Sequence, residues 1–289
     1  MDACARAFDN RNMETVEESG LEVLDLRSDA VFAARNLHVR DIGMQMAGLQ
    51  RLSRALLENP DTILQELVNA AVHLCGADSA GISIEKEDGS DQEFYHWIAT
   101  AGDYSGFLNA ILPRQPRACG LCLERGHAQH FTVSKKFFDI LGVEAPLVTD
   151  GILLPWKTED TRGTIFVMAH GRTEAFDEND TRLMTMLADF AAMGYRQQKQ
   201  QARLIAQERA AAAAQMANRL AHEINNPLQS MTNNAFLVAE GSSDCDPKAL
   251  GRELSNDIQR LSGLVSVLLS LPLETASAQP SVNSVDIER

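Results

Sequence analysis

Apolar positions recur at helical spacing towards both ends of the chain, and short apolar runs of strand length fill its middle. The pattern predicts helices over residues 39–57 and 63–76 and a long helix that is capped by Asp177. Shorter elements are predicted between them, with strands over 80–85, 94–100, 130–133, 151–156 and 163–170 and short helices over 104–111, 119–125 and 135–141. Paired strands enclosed by helices predict an α+β unit with an antiparallel sheet.

Five segments of this unit carry an ordered series of small, apolar and acidic residues. They are 80–84 (Ala-Gly-Ile-Ser-Ile), 118–126 (Ala-Cys-Gly-Leu-Cys-Leu-Glu-Arg-Gly), 151–155 (Gly-Ile-Leu-Leu-Pro), 163–167 (Gly-Thr-Ile-Phe-Val) and 176–180 (Phe-Asp-Glu-Asn-Asp). Their order resembles a GAF domain, the small-molecule-sensing fold found upstream of many histidine kinases. The resemblance implies a GAF-type sensor domain whose ligand the sequence does not identify.

Cys119 is the candidate cofactor-binding residue of this domain, because it resembles the cysteine that anchors a bilin in phytochrome-like GAF domains. There a His follows the cysteine, whereas Gly120 follows it here. Cys119 also forms a Cys-x-x-Cys pair with Cys122, and His127 and His130 follow as further metal-ligand types. The spacing departs from that of a zinc knuckle, so we expect no metal. A pocket-wall role for Cys119 is favoured, and the bilin and metal alternatives stay open.

A long helical pattern near the C-terminus carries one histidine outside its apolar stripe. The stripe consists of apolar residues at helical spacing, namely Leu220, Ile224, Leu228, Met231 and Ala235. At about 100° per residue, His222 lies about 200° from Leu220 around the helix, so we expect its imidazole to be exposed. Asn225, Asn226 and Gln229 follow at spacings that place them on the same face.

Residues 221–228 read Ala-His-Glu-Ile-Asn-Asn-Pro-Leu. The segment resembles the H-box of sensor histidine kinases, which carries the phosphoacceptor of two-component signalling. The resemblance implies that His222 accepts a phosphoryl group, that Glu223 acts as the base, and that Asn226 positions a water molecule or an aspartyl phosphate. An ordinary solvated histidine is the alternative, whereas a His-Glu-x-x-His zinc motif is excluded because Asn226 replaces its second histidine. Pro227 cannot donate to the carbonyl of Glu223, so we expect a bend there.

A second amphipathic pattern over residues 250–268 predicts that the end of the chain forms a helical hairpin. One hairpin has little to bury against, and two hairpins make a four-helix bundle, so we expect a dimer. Residues 195–215 contain strong helix formers, which favours a dimeric signalling helix over a solvated linker helix. The predicted segments are a partly disordered N-terminal segment (1–38), a GAF-type sensor domain with flanking helices (39–194), a signalling helix or coiled coil (195–215), a dimerisation and histidine phosphoacceptor hairpin of the HisKA type (216–271) and a disordered tail (272–289).

Composition narrows the functional classes. A formal net charge of −14 argues against nucleic acid as a partner, because phosphate backbones require clustered Lys and Arg. No apolar run reaches the roughly 18 residues of a membrane span, and no signal-peptide core opens the chain, so we expect a cytoplasmic protein. Its 5 cysteines are odd in number and scattered, which argues against a disulfide framework.

Few residues follow Leu271, and none of them is Gly, so we predict no phosphate-binding loop of an ATP-binding domain after the hairpin. We therefore expect no autonomous kinase activity, no cofactor in this chain, and ATP only through a partner kinase domain. The expected partners are a second copy of the chain, a response-regulator receiver domain and a separate histidine kinase ATP-binding domain. Two alternatives stay open: a non-catalytic ligand-binding dimer that regulates partner kinases, and a response-regulator phosphatase that uses Asn226.

Overall fold

The structure, a computed structural model, describes residues 19–87, 93–113, 118–240 and 246–270. The chain separates into an N-terminal unit of residues 1–202 and a C-terminal unit of residues 203–289. The predicted disordered tail, 272–289, lies outside the described residues, as does the first part of the predicted N-terminal segment. No helix in the described part combines the length and hydropathy needed to cross a bilayer.

The N-terminal unit is built on a seven-stranded sheet in which every paired strand runs antiparallel to its neighbour. Its strands, in chain order, are β1 Leu21–Asp25, β2 Ser79–Glu87, β3 Glu93–Gly102, β4 Ile111–Pro113, β5 Gln129–Val133, β6 Val148–Lys157 and β7 Arg162–Ala169. Their order across the sheet is β1-β5-β6-β7-β2-β3-β4. The predicted α+β class with an antiparallel sheet is therefore confirmed, because all five predicted strands are present.

The helices of the described residues either cover a face of the sheet or form the C-terminal unit. In chain order they are α1 Ala30–Ala33, α2 Ile42–Glu58, α3 Ile63–Cys75, α4 Ala118–Arg125, α5 Lys135–Leu141, α6 Glu178–Ala239 and α7 Pro247–Ser270. The Asp177 side chain accepts hydrogen bonds from the backbone N–H groups of Asn179 (2.7 Å) and Asp180 (3.1 Å), which confirms its predicted role at the start of α6.

One predicted helix is wrong. Residues 104–111 form only a short 3₁₀ turn, Ser105–Phe107, and the chain then reverses to add β4 beside β3. The reversal occurs at Asn109, whose φ of 66° is left-handed and ends any helix. Backbone bonds between Trp97 and residues 109 and 110 then hold the reversed chain against β3. A cross-strand partner therefore overrides the local helical pattern.

β1 lies in the segment 1–38, where the hydrophobic pattern predicted no element. It pairs with β5, and Leu21 and Val23 point into the protein while Glu22 and Leu24 are exposed. An exposed leucine breaks the apolar and polar alternation that marks a half-buried strand in a sequence. The strand therefore depends on its pairing with β5 more than on its own pattern.

Two separate hydrophobic cores lie on the two faces of the sheet. Because strand side chains alternate, neighbouring residues of β7 face opposite cores. Ile165 and Val167 belong to the core that also contains buried residues of α3 and the first part of α6, such as Leu67 and Leu187. Phe166 joins the other core, which also contains Cys122 of α4 and Phe138 of α5. The second core encloses the cavity described below.

The C-terminal unit contains the rest of α6, from residue 203, and α7. The 62-residue helix α6 is continuous through Pro227. Among the described residues of this unit only Pro227 and Asn234 are buried. The Asn234 side-chain amide donates a hydrogen bond to Glu253 of α7 at 3.2 Å, so the end of α6 and the start of α7 lie side by side. The dimerisation and phosphoacceptor hairpin over 216–271 stays a prediction.

Candidate ligand cavity and candidate phosphoacceptor site

An apolar cavity of about 80 Å³ lies between the sheet and the helices α4 and α5. Strands β1, β3, β5, β6 and β7 contribute to its wall, so residues far apart in the sequence meet there. Seven of its lining residues are aromatic, namely Tyr95, Trp97, Tyr104, Phe131, Phe137, Phe138 and Phe166. None of the described residues that line it carries a charge. An apolar chamber with a few polar atoms is typical of small-molecule sites.

Two glycines make room for the rings that line the cavity. Gly81 pairs with Phe166 across β2 and β7, and Gly151 pairs with Phe131 across β6 and β5. A Cβ atom at Gly81 would lie 2.4 Å from the Phe166 ring, and one at Gly151 would lie 2.6 Å from the Phe131 ring. Each ring therefore lies over the glycine of the adjacent strand, and the glycines of the segments 80–84 and 151–155 have a packing reason.

Three polar groups of the cavity wall differ in their hydrogen bonding. The Tyr104 hydroxyl donates to the carbonyl oxygen of Pro146 at 2.7 Å. The buried Tyr95 hydroxyl and the buried indole N–H of Trp97 have no partner among the described residues. Burial raises the pKa of Tyr95, so its phenol is neutral and retains its proton. Two donors without a described partner therefore belong to side chains of the cavity wall.

Cys119, the predicted pocket residue, lies near the start of α4 in the wall of this cavity. Its sulfur accepts hydrogen bonds from the hydroxyls of Thr164 at 3.3 Å and Ser83 at 3.8 Å. Burial raises the pKa of the Cys119 thiol, and these two hydroxyls offset only part of that effect. A reactive cysteine requires the opposite shift, towards the thiolate. The geometry places Cys119 at the cavity, while its cofactor role stays a prediction.

The alternative metal site from Cys119, Cys122, His127 and His130 does not assemble. On β5, Phe131 faces the cavity, so the adjacent His130 points to the opposite side of the sheet, where its ring lies 5.6 Å from that of Phe32. The Cys122 sulfur is directed at backbone carbonyls, including that of Leu153 at 3.7 Å. The sheet therefore separates ligand types that are close in sequence.

His130 instead belongs to a buried ionic cluster that the sequence did not reveal. Its Nε2 lies 2.6 Å from Oδ1 of Asp150, and the Arg35 guanidinium donates to Oδ2 of Asp150 at 2.8 Å. Burial by itself raises the pKa of Asp150, but the hydrogen bonds from His130 and Arg35 outweigh it and hold that pKa below its usual range. This cluster fixes the segment after β1 to the sheet. An aspartate next to the apolar run 151–156 was the available signal.

A second group of potential metal ligands, His38, Asp177 and Asp180, lies at the start of α6. The Asp177 carboxylate accepts from the backbone N–H of His38 and caps the helix. The Asp180 carboxylate accepts from the Arg40 guanidinium at 3.0 Å and 3.1 Å. These carboxylate oxygens already accept structural hydrogen bonds. The bonds explain why the side chains lie together, and a metal ion is not needed to explain it.

The residues of the H-box-like segment lie on the C-terminal part of α6. His222, Asn225, Asn226 and Gln229 are all exposed, as the helical spacing predicts. Glu223 is half-buried and accepts a hydrogen bond from the Arg219 guanidinium at 2.9 Å. The predicted base is thus paired along the helix. The chemical roles of His222, Glu223 and Asn226 stay predictions, as does the bend at Pro227.

Comparison with protein families finds one match, to the model described as GAF domain, over residues 59–194. The match spans the sheet from β2 to β7, the cavity-covering helices and the start of α6. Residues 59–194 form a GAF domain. The resemblance read from the five sequence segments is therefore confirmed, and all described lining residues of the cavity except Leu21 of β1 lie in this GAF domain. No curated protein matches the sequence.

Solved GAF domains resemble this chain at low identity. One is from a phosphoenolpyruvate-protein phosphotransferase of Coxiella burnetii, at 17% identity and a TM-score of 0.43, covering 55% of this chain and 98% of that one. Another is the phycoerythrobilin-bound GAF domain of a cyanobacterial phytochrome, at 15% identity and a TM-score of 0.41, covering 55% and 97%. A third is from a candidate sensor histidine kinase of Pseudomonas syringae pv. tomato, at 14% identity and a TM-score of 0.38, covering 57% and 94%. These likenesses identify no ligand or activity for this chain.

Proposed function

We propose that this protein acts in a two-component phosphorelay, in which ligand binding to the GAF domain controls phosphorylation or phosphotransfer at His222. The observation that carries the proposal is the Ala-His-Glu-Ile-Asn-Asn-Pro-Leu segment on an exposed helix face. That face belongs to α6. The first turns of the same helix are the last element of the GAF domain. A phosphoacceptor must be reached by another protein, and exposure of His222 meets that requirement.

The residues around His222 fit nucleophilic attack on phosphorus. A neutral imidazole nitrogen attacks the phosphoryl group, an N–P bond forms, and the P–O bond to the donor breaks. The ring then releases its second proton, and Glu223 is the proposed acceptor. The exposed pair between Glu223 and Arg219 stabilises the helix by less than about 1 kcal/mol, so it does not prevent Glu223 from turning to the imidazole.

We propose that a second copy of the chain completes the C-terminal unit as a four-helix bundle. The unit exposes large apolar side chains, namely Leu204, Met216, Leu228, Phe236, Val238 and Ile258. Apolar surface of this kind is typical of a helix that has a partner. The phosphoryl group then comes from ATP bound to a partner kinase domain, or from a response-regulator receiver domain.

The continuous helix α6 supports a route for control. A ligand that changes the packing of the GAF domain on the first turns of α6 would shift or rotate the helix and alter access to His222. The buried residues Met184 and Leu187 anchor those first turns in the GAF core. A ligand that binds both arrangements equally would have no effect, so control requires different affinities for the two.

Phosphotransfer to defined variants tests this proposal. The full chain is incubated with a radiolabelled, phosphorylated receiver domain and with a histidine kinase catalytic domain and ATP, both taken from neighbouring genes. We expect acid-labile, base-stable label that is absent from His222→Gln. His73→Gln is the matched control, because His73 is also exposed on a helix, and it should be labelled like the unchanged chain. Equal label in His222→Gln contradicts the site.

A phosphatase role is the second candidate, because Asn226 is exposed one turn after His222 on the same face. Such activity would release phosphate from a phosphorylated receiver domain without ATP. It should be lost in Asn226→Ala and retained in Asn225→Ala, which removes a neighbouring exposed amide. Binding to partner kinases without any transfer or release would instead favour the non-catalytic dimer.

A further inference from the structure

We propose that the cavity of the GAF domain binds a small, neutral, one-ring aromatic molecule that presents a hydrogen-bond acceptor to the Tyr95 hydroxyl and the Trp97 indole N–H. This inference rests on the proposed sensor role and names the class of ligand that the sensor takes. It is carried by two donors without described partners, in a chamber with no charged wall residue among those described.

The free donors define the polar part of the ligand. Tyr95 is 2% exposed, and its hydroxyl meets no acceptor among the described residues. The indole N–H of Trp97 is also buried without one, and an indole nitrogen can only donate. Buried polar groups nearly always have a partner, so two orphaned donors at one cavity point to an acceptor that arrives with a ligand.

Tyr104 shows that polar groups in the cavity wall do not generally lack a hydrogen-bond partner. It lines the same cavity, and its hydroxyl already donates to the Pro146 carbonyl. The Cys119 sulfur is likewise engaged by Thr164 and Ser83. Among the described residues that line the cavity, the unsatisfied donors are those of Tyr95 and Trp97, which follow each other on one face of β3.

The described wall residues disfavour a charged ligand. A carboxylate, phosphate or ammonium group moved from water into this chamber would lose its hydration and meet no opposite charge among the described lining residues. Neutral molecules avoid that cost. The acceptor is then a carbonyl, ether or ring nitrogen.

Ring contacts and volume define the apolar part. The Trp97 ring lies 4.9 Å from the Phe166 ring and 6.0 Å from the Tyr104 ring, so a flat ligand meets aromatic faces and edges. The cavity holds about 80 Å³, and an engineered cavity of about 150 Å³ accommodates benzene. Since this cavity is about half as large, one ring enters only when lining side chains move outward, and a four-ring bilin requires a much larger change.

Three probes of similar size and different polarity test the proposal on the full chain. Acetophenone carries a neutral acceptor, isopropylbenzene carries none, and benzoate carries a charge. Binding is followed by the two indole N–H signals in ¹H–¹⁵N spectra, since the chain has 2 tryptophans and Trp156 belongs to the other core. We expect acetophenone to bind saturably and to move the Trp97 signal, with isopropylbenzene about fivefold weaker and benzoate not bound.

A pair of tyrosine variants sharpens the test. Tyr95→Phe should weaken acetophenone about fivefold and leave isopropylbenzene unchanged, because it removes only the free donor. Tyr104→Phe removes a hydroxyl from the same cavity whose bond is already made, so it should preserve the preference for acetophenone. Equal affinities of the two neutral probes, an unchanged preference in Tyr95→Phe, or no saturable binding would overturn the proposal. His222 takes no part in these measurements, so absence of phosphotransfer would contradict the proposed function and leave this result standing.

Discussion

The N-terminal and C-terminal units contain similar proportions of helix-forming and apolar residues. They differ greatly in how many of their apolar side chains are buried. Phe176, two residues before α6 begins, is 0% exposed, whereas Phe236, near the end of α6, is 63% exposed. The first unit completes two cores within one chain by covering both faces of a sheet. The second has two helices and little to cover them. This contrast indicates that the first unit completes its own cores, and it supports the proposal that a partner covers the second.

Replacing each of the two phenylalanines with alanine tests this contrast. Of all the variants considered, these should differ most in the free energy of unfolding. Phe176→Ala leaves a cavity in a closed core and should lower the free energy of unfolding of the N-terminal unit by about 3–5 kcal/mol. Phe236→Ala should change it by less than about 0.5 kcal/mol, since its ring is exposed. Urea unfolding followed by tryptophan fluorescence measures this, because both tryptophans, Trp97 and Trp156, lie in the N-terminal unit.

The same pair separates folding from association. In sedimentation, Phe236→Ala should weaken self-association of the chain about tenfold or more, because the ring is proposed to be buried against a second copy. A monomeric unchanged chain at all accessible concentrations would contradict the proposed bundle. It would leave the prediction for Phe176 untouched.

The ionic cluster at Asp150 should show the next largest effect. Asp150→Asn leaves Arg35 and His130 without their buried carboxylate and should destabilise the N-terminal unit by about 3 kcal/mol at pH 7. The folded pKa of Asp150 is lowered, so its stabilising contribution is complete above the unfolded pKa of about 3.9 and is lost as the pH falls below it. The two chains should therefore converge in stability as the pH falls below about 4.

Urea titrations over a series of pH values measure that convergence. Asp139→Asn is the matched control, because Asp139 pairs with Lys135 on the surface, where such pairs contribute less than about 1 kcal/mol. A constant difference between Asp150→Asn and the unchanged chain down to pH 2 would show that the carboxylate's charge is not what stabilises the cluster.

Two glycines should respond in opposite directions, with the smallest effects. Gly81→Ala places a methyl group against the Phe166 ring and should destabilise the N-terminal unit by about 2 kcal/mol. Gly251 lies in α7 with no atom within 4 Å of the added group, so Gly251→Ala should stabilise that helix by up to about 1 kcal/mol. Thermal unfolding followed by circular dichroism compares them. Destabilisation by Gly251→Ala would reveal packing at that face.

Strongly periodic or uniformly apolar segments were predictable, and short ones were not. The strands over 151–156 and 163–170 have centres apolar on both faces because both faces are covered, so they stand out in the sequence. β1 and β4 are short edge strands, and each pairs with one neighbouring strand. Their local pattern carries little information, since the pairing partner is distant in the chain.

The candidate sites divide in the same way. The exposure of His222 followed from helical geometry, because a single helix needs no long-range contact to place its faces. Cys119 was identified from its segment, but its hydroxyl partners Thr164 and Ser83 come from two strands that only the sheet brings together. The free donors of Tyr95 and Trp97 were invisible in the sequence, because an unmade bond depends on everything around it.

By itself, the order of residues determined the GAF domain, the long helix that leaves it and the exposed face that carries His222. Those features depend on local periodicity and on short segments of neighbouring residues. Only the tertiary structure decided that an apolar cavity forms, which side of the sheet each histidine occupies, and that Asp150 joins Arg35 and His130. Cavities and buried charges arise where distant segments pack together, so no single stretch of the chain determines the free energy of these contacts.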